Sequence, residues 1–442
     1  MVSDPQPRRV AVVNWRDPWH PAAGGAEVYA WEIATRLAAA GSRVTFVTAR
    51  APGQSAGERR DGVTVVRMGG TFGVYPRVLL WLAGRRRRFD AVIDCQNGIP
   101  FFTPLVTPRR TVVVGVVHHV HDAQFGVHFP RWLAAVGRTL EGPVARRVYR
   151  RHTSAAVSPS TEVAMRRRLG WLGPIVVIPN GCTPPPVRLA PRQSAPAVPS
   201  AAAPEPVVSA SSGPAPEPAT SAPAGTASHP LTASEGLVQP SGSGSPASPY
   251  GADSGAPSLV CVGRLVAHKR VERIVELAGA LRGRHPGLQV HIIGKGPEED
   301  RVRALIERRS LAGVVRLHGF LPEEDKARLV AGARLHLSAS QGEGWGLSVL
   351  EAAALGVPTV AYDVDGLRDA VRDSRTGWLV RPGDTLEDVV EAALKELSDP
   401  ERRAEVSADC GRWAARFDWD ASAARMAVLL AGGRDTSPWE EL

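Results

Sequence analysis

Two glutamates stand eight residues apart in a glycine-rich segment, residues 343–351, which reads EGWGLSVLE. Apolar residues before it predict a strand end, and the apolar spacing after it predicts a helix over residues 347–355. A glycine-rich turn from strand to helix offers backbone N–H groups and a positive dipole end to a phosphate. The carboxylates of Glu343 and Glu351 cannot hold phosphate, but they can accept hydrogen bonds from sugar or ribose hydroxyls. The segment therefore favours a nucleotide-sugar site over a surface turn with a capping and a solvated glutamate.

A second turn, after the predicted strand Leu259–Val262, carries cations. Gly263 allows a sharp turn out of the strand, and Arg264 can hold two phosphate oxygens at once. Lys269 adds a second cation at the start of the next helix; solvated surface cations are the alternative. The pair Gly24 and Gly25 opens a predicted helix in the first half of the chain, where glycine permits close approach of a ligand to the backbone.

Three histidines end the most apolar predicted strand of the first half. Side chains alternate along a strand, so His118 and His119 are expected to point to opposite sides, and counting the apolar run favours His118 as the residue facing a ligand. A metal site is the alternative, but a strand lacks the i, i+4 spacing of helical metal sites. The four cysteines are scattered, without a C-x-x-C pair. No metal or other cofactor is therefore predicted.

Together these segments resemble the signature of glycosyltransferase family 4 (GT4), a family of retaining enzymes with the GT-B fold. The likeness covers nearly all of the chain outside a proline-rich stretch and is strongest over residues 259–384. The family usually has Phe where Trp345 stands, and Asp where Cys182 follows Asn-Gly. The motif Asp363-Val-Asp365 matches the metal motif of a different glycosyltransferase fold, but it falls where GT-B proteins have an ordinary loop, and we interpret it as coincidence.

The resemblance implies retaining transfer of a hexose from a nucleotide-diphosphate sugar (GDP-mannose or a UDP-hexose) to an acceptor hydroxyl. By the same resemblance, Glu351 would hold the ribose hydroxyls and Glu343 a sugar hydroxyl, while a histidine at the strand end would bind the sugar. Phe320 would border the nucleobase, with core packing as the alternative. The implied catalytic residues are His118, His119, Arg264, Lys269 and Glu343. The implied donor-binding residues are Gly24, Gly25, Gly263, Gly294, Phe320, Gly344, Trp345, Gly346, Leu347 and Glu351.

Short β-branched runs alternate with amphipathic helical patterns in both halves of the chain, which predicts an α/β fold of two facing Rossmann-like, doubly wound domains with a cleft between them. We expect an acceptor-binding domain over residues 1–183 and a nucleotide-sugar-binding domain over residues 258–415. A helix over residues 416–442 is expected to cross back to the first domain. Residues 184–257 hold 17 of the 38 prolines and no Phe, Trp, Ile or Met, which predicts a disordered linker.

The net charge of +9 is uneven, with +14 on residues 1–183 and −3 on residues 258–442. Arg85–Arg88 lies beside Trp81, and Trp132 also lies among arginines. Cations mixed with apolar anchors suit an anionic bilayer surface, so we expect a cytoplasmic protein, peripheral on the inner face of the membrane, with a glycan, polyprenyl or other lipid-linked or phosphorylated acceptor.

Two other functions are open on the sequence alone. One is a nucleotide-sugar-binding GT-B protein without transferase activity. The other is a nucleic-acid-binding protein that uses the basic half, which the absence of a nucleic-acid motif and an aromatic content of only 6 % disfavour.

Overall fold

The computed structural model describes residues 8–122, 125–126, 130–183 and 256–433. Within these ranges the chain forms two sheets flanked by helices, in agreement with the predicted doubly wound α/β fold. Residues 184–255 of the predicted linker lie outside the described part. No described helix combines the length and the apolar character needed to cross a bilayer.

The first lobe is built on an eight-stranded sheet with the order β3-β4-β2-β1-β5-β6-β7-β8. Its strands are β1 Arg9–Val13, β2 Arg43–Thr48, β3 Gly57–Arg60, β4 Val63–Arg67, β5 Ala91–Asn97, β6 Val112–His119, β7 Thr153–Ala156 and β8 Ile175–Val177. All neighbouring strands pair in parallel except β3, which pairs antiparallel with β4 at one edge.

The helices of this lobe cover both faces of the sheet. They are α1 Gly25–Ala39, α2 Val74–Arg85, α3 Arg131–Thr139, α4 Ala145–Tyr149 and α5 Pro159–Arg168, with a π-helical turn, Leu140–Val144, between α3 and α4. Alternation along β1 sends Val10 and Val12 into the core beneath α1, and Ala11 and Val13 into the core beneath α2, α4 and α5. Buried apolar residues on both faces explain why β1 is a continuous apolar run.

The second lobe is built on a six-stranded parallel sheet with the order β11-β10-β9-β12-β13-β14. Its strands are β9 Ser258–Val262, β10 Gln289–Ile293, β11 Val315–Gly319, β12 Leu335–Ser338, β13 Thr359–Tyr362 and β14 Gly377–Val380. Its helices are α6 Val271–Leu281, α7 Glu299–Arg308, α8 Glu323–Gly332, α9 Leu347–Ala354, α10 Leu367–Ala370, α11 Leu386–Glu396 and α12 Pro400–Ala414. The strand order reverses between β9 and β12, and ligands bind at such switch points in doubly wound sheets.

A last helix, α13 Trp419–Leu430, packs on the first lobe. The indole of Trp419 lies edge-on to Tyr29 of α1, with ring centroids 5.9 Å apart. Arg36 donates to Asp420 at 2.5 Å, and the hydroxyl of Ser422 donates to the carbonyl of Pro179 at 2.8 Å. A Cβ at Gly181 would lie 2.4 Å from the Trp419 ring, so glycine is required where the first lobe meets this helix.

Candidate active site

The carboxyl ends of both sheets open onto one cleft of about 680 Å³. The first lobe contributes the loop after β1, the start of α1 and the end of β6, and the second lobe contributes the loops after β9 and β12 and the start of α9. Thirteen of the predicted site residues line it. They are Gly24, Gly25, His118, His119, Gly263, Arg264, Lys269, Glu343, Gly344, Trp345, Gly346, Leu347 and Glu351.

Two predicted residues do not line this cleft. The backbone N–H of Gly294 donates to the carbonyl of Gly319 at 2.7 Å, and a Cβ at Gly294 would collide with the carbonyl of Gly263 at 1.9 Å. Gly294 therefore packs behind the Gly263 turn. The side chain of Phe320 is 75 % exposed, so it is not a core residue.

Two glycines bring the glutamate segment against the first lobe. Gly346 has a φ of 91°, a left-handed conformation that glycine adopts readily, and it directs the chain into α9. A Cβ at Gly344 would lie 2.3 Å from the backbone oxygen of His118. Between them, Trp345 is 2 % exposed and packs edge-on against Phe417, with ring centroids 5.0 Å apart. The segment thus touches the end of β6 and the chain segment that leads to α13.

The amino ends of two helices face each other across the cleft. A Cβ at Gly25, the first residue of α1, would lie 2.9 Å from Cδ1 of Leu347, the first residue of α9. The carboxylate of Glu27 caps α1 by accepting from the N–H of Gly24 at 2.7 Å. The positive dipole ends of two helices therefore converge where a phosphate could bind.

Arg264 reaches this point from the second lobe. Its Nη1 donates to the carbonyl of Ala22 at 3.3 Å, and its guanidinium borders Gly24. The side chain thus spans the cleft and adds a cation beside the two helix starts.

Lys269 and Glu343 form an ion pair in the wall of the cleft, with only 21 % and 16 % of their side chains exposed. The hydroxyl of Ser340 also donates to Glu343, at 2.6 Å. Burial alone would raise the pKa of Glu343, but the ammonium of Lys269 and the Ser340 hydroxyl lower it below its usual value. The carboxylate is therefore ionised at neutral pH and can only accept hydrogen bonds.

Glu351 is held by a lysine that sequence reasoning missed. Lys326 of α8 donates to Glu351 at 3.0 Å and pairs with Glu323 at 2.7 Å. Burial alone would lower the pKa of Lys326, but the carboxylates of Glu351 and Glu323 raise it above its usual value. The scarcity of lysine, four residues in the chain, is the one sequence signal that could have drawn attention to Lys326.

The two histidines both line the cleft because the sheet is irregular at their position. In the pairing of β5 with β6, Gln96 lies opposite Val117 and Asn97 lies opposite His119, so a bulge falls at His118. The ring of His118 packs on Tyr29 with centroids 5.1 Å apart, whereas Cε1 of His119 lies 3.2 Å from the Cβ position of Gly342. Burial, with His121 nearby, lowers the pKa of both histidines to about 3. Both imidazoles are neutral at pH 7.

The described residues contain no group of three or more His, Cys, Asp or Glu side chains placed to hold a metal ion. Asp363 and Asp365 both accept from Arg368, at 2.8 and 3.2 Å. In the structure these two aspartates therefore form ion pairs with Arg368.

A second arginine, Arg16, also lines the cleft and was not predicted. It follows the carboxyl end of β1, and residues at this position in doubly wound sheets often contact ligands. The sequence could therefore have indicated Arg16 as a candidate. Its Nη1 donates to the carbonyl of Ala22 at 2.8 Å, the same oxygen that accepts from Arg264.

Comparison with known proteins covers both lobes. Residues 23–184 match the model of Glycosyltransferase Family 4, and residues 248–413 match that of Glycosyl transferases group 1. The chain is 35 % identical over 189 residues to a D-inositol 3-phosphate glycosyltransferase of Thermobispora bispora, a match that covers 40 % of this chain and 44 % of that protein. It is 30 % identical over 184 residues to a GDP-mannose-dependent alpha-(1-6)-phosphatidylinositol monomannoside mannosyltransferase of Mycobacterium tuberculosis, covering 40 % and 48 %. The chain thus matches less than half the length of these curated relatives.

The fold has solved counterparts. A sucrose-phosphate synthase from Thermosynechococcus elongatus superposes with a TM-score of 0.70 at 18 % identity, over 96 % of this chain and 98 % of that one. The two family models, one on each lobe, together with this shared architecture, show that the chain belongs to the GT4-type glycosyltransferases of the GT-B fold, a family of transferase enzymes.

Proposed function

We propose that this protein transfers a hexose, with retention of configuration, from a nucleotide-diphosphate sugar to an acceptor hydroxyl. The observation that carries the proposal is the lining of one cleft, which combines groups suited to phosphate with two groups suited to hydroxyls. The starts of α1 and α9, Arg264 and Lys269 form the cationic part. Glu343 and Glu351 line the same cleft from the second lobe.

The diphosphate of the donor binds at the two helix starts, and Arg264 and Lys269 stabilise the charge that develops as it departs. Such preorganised electrostatic stabilisation is usually the largest single contribution to catalysis. Glu351, held by Lys326, accepts from the ribose hydroxyls. Glu343, held by Lys269, accepts from a hydroxyl of the transferred sugar.

We assign the sugar-binding histidine to His119, although the apolar run favours His118. The ring of His119 borders Gly342, next to Glu343, while the ring of His118 is turned toward Tyr29. A neutral imidazole can donate one hydrogen bond to the sugar and accept another.

The transfer step breaks the bond between the anomeric carbon and the leaving phosphate oxygen. A bond from the acceptor oxygen forms on the same face of the sugar, and the acceptor proton passes to an oxygen of the departing diphosphate. The residues described above position and neutralise charge, and none is assigned as a covalent nucleophile.

The relatives bear on the acceptor. The names of the Thermobispora and Mycobacterium proteins refer to inositol 3-phosphate and to a phosphatidylinositol monomannoside, both phosphate-containing molecules. Together with the +14 charge of residues 1–183, they support a phosphorylated or lipid-linked acceptor.

The donor is identified by thermal shift and hydrolysis with GDP-mannose, UDP-glucose, UDP-galactose and UDP-N-acetylglucosamine. One donor is expected to stabilise the protein, and Glu351→Ala is expected to weaken its binding by about 10–100-fold, because hydrogen bonds to a charged group are lost. Glu307→Ala, an exposed glutamate on α7, is the matched control and should bind as the wild type does. Binding without hydrolysis or transfer would favour a nucleotide-sugar-binding protein, and equal binding by both variants would contradict the role of Glu351.

Membrane association is proposed for the basic face of the first lobe. Leu80 of α2 and Trp132 of α3 are 74 % and 69 % exposed, and Arg85–Arg88 lies at the end of α2. Helix α4, which continues α3 through the π-helical turn, packs on the same face of the sheet as α2. Cations and apolar anchors therefore lie on one side of the lobe.

Vesicle flotation tests this proposal. The wild type is expected to float with anionic but not with zwitterionic vesicles, and changing all four residues of Arg85–Arg88 to Gln should reduce binding at least about tenfold, given about 1 kcal/mol for each arginine at an anionic surface. Changing Arg301, Arg303, Arg308 and Arg309 of the second lobe to Gln is the matched control. Identical flotation of all three proteins would refute the assignment.

A further inference from the structure

We propose that Arg16 binds an anionic group of the acceptor, so that the acceptor carries a phosphate close to its reacting hydroxyl. The inference rests on the proposed sugar transfer and adds to it a substrate class and a specificity-determining residue.

Guanidinium groups from both lobes meet at one carbonyl oxygen. Nη1 of Arg16 lies 2.8 Å from the oxygen of Ala22, and Nη1 of Arg264 lies 3.3 Å from it. Two like charges held this close repel each other, and an acceptor oxyanion bound by Arg16 would reduce the repulsion while Arg264 holds the donor phosphate. The contact is therefore suited to a phosphate.

The positive charges around Arg16 and Arg264 exceed the negative charges that act on them. Glu27 is the carboxylate that acts on both arginines, and it already caps α1. Lys269 and Lys326 of the second lobe also line the cleft, but they are paired with Glu343 and Glu351. Burial lowers the pKa of Arg16, and the positive charge of Arg264 lowers it further. Glu27 raises it, but not enough to restore the usual value. The buried guanidinium therefore lacks enough negative charge around it to offset its loss of water.

The backbone around Arg16 is fixed by other residues. Asn14 donates through its side-chain amide to the Arg16 carbonyl at 2.9 Å, and the indole of Trp15 donates to Thr71 at 2.8 Å. Asp17 is fully buried and pairs with Arg67. The guanidinium itself lies over the Trp15 ring, 3.7 Å from its centroid. A loop already held on both sides of Arg16 leaves the guanidinium preorganised for a ligand.

The position of Arg16 favours the acceptor over the donor. It belongs to the first lobe, and its neighbours in the cleft include Tyr75 and the 69 % exposed Phe72, also of the first lobe. The donor phosphates already have Arg264 and Lys269 from the second lobe. Arg16 is thus left for a phosphate that arrives from the first-lobe side.

Calorimetry with two phosphate sources tests the assignment on the full chain. The protein is saturated with the nucleoside diphosphate of its donor and then titrated with glycerol 1-phosphate or inorganic phosphate, with glycerol as the neutral probe. The wild type is expected to bind a phosphate probe under these conditions, and Arg16→Gln should weaken that binding at least about tenfold. Its affinity for the nucleoside diphosphate should change less than about threefold. Arg59→Gln, an exposed arginine of β3, is the matched control.

Each other outcome overturns the proposal in a recognisable way. If Arg16→Gln weakens the nucleoside diphosphate and not the second phosphate, Arg16 serves the donor. If the wild type saturated with nucleotide binds neither phosphate probe, the anionic subsite does not exist. Failure of any nucleotide to bind would instead contradict the proposed function. Arg16→Lys keeps the charge without the planar fork and should lose part of the phosphate affinity.

Discussion

Replacing Lys269 with methionine is expected to reduce donor turnover by about 10²–10³-fold, the usual cost of removing one preorganised group that stabilises developing negative charge. The ammonium lies in the cleft wall beside the helix starts, and it also holds Glu343. The substitution therefore removes charge stabilisation and leaves a largely buried carboxylate that still accepts from the Ser340 hydroxyl. The measurement is kcat/KM for hydrolysis or transfer with the donor that binds.

Lys395→Met is the matched control, because Lys395 is exposed near the end of α11, away from the cleft lining. Its kcat/KM should stay within about threefold of the wild-type value, since surface changes of this kind have small effects. Combining Lys269→Met with Glu343→Gln separates two roles of Lys269. If the lysine only positions Glu343, the double variant will match Glu343→Gln alone; if it also stabilises the diphosphate, the double variant will be slower. Wild-type turnover by Lys269→Met would refute both roles.

The largest expected effect on stability comes from Trp419→Ala, which should lower the free energy of unfolding by about 3–5 kcal/mol. Trp419 is 2 % exposed and joins α13 to the first-lobe core, where it packs on Tyr29 and against Gly181. Truncation would leave a cavity between the helix and the lobe. Equilibrium denaturation in urea, followed by fluorescence and circular dichroism, measures the change.

Val428→Ala on the same helix provides the comparison, because Val428 is 44 % exposed. Its effect should lie within about 0.5 kcal/mol. Trp419→Phe should fall between the two, since a phenyl ring refills part of the space. An effect of Trp419→Ala no larger than that of Val428→Ala would mean that α13 does not brace the first lobe in solution.

The arrangement of the two sheets could be predicted from sequence because their central strands are buried on both faces and read as apolar runs. The predicted strand Leu259–Val262 matches β9 to within one residue, and β1 is likewise an apolar run over Val10–Val13. Three strands were missed. Strand β3 is a charged edge segment, β8 has three residues, and β14 has four residues at the other sheet's edge. Short edge strands lack the apolar alternation on which such predictions depend.

The site could be predicted only where its residues are close in sequence. Glu343 and Glu351 lie in one motif, whereas Arg16 and Arg264 meet from opposite lobes and Lys326 reaches Glu351 from a different helix. Pairings of this kind depend on tertiary packing. The histidine register depends on a bulge, which breaks the alternation that the count along β6 assumed.

The docking of α13 on the first lobe has a consequence for biosynthesis. The core of that lobe includes Trp419, Met426 and Leu429, which are translated after the whole second lobe. Translation proceeds at about 5–20 residues per second, so roughly ten seconds or more pass between the synthesis of β8 and that of α13. The lobe that begins synthesis first is therefore the one that completes its core last. During that interval on the ribosome, the apolar surface around Tyr29 that α13 later covers stays uncovered by the chain itself.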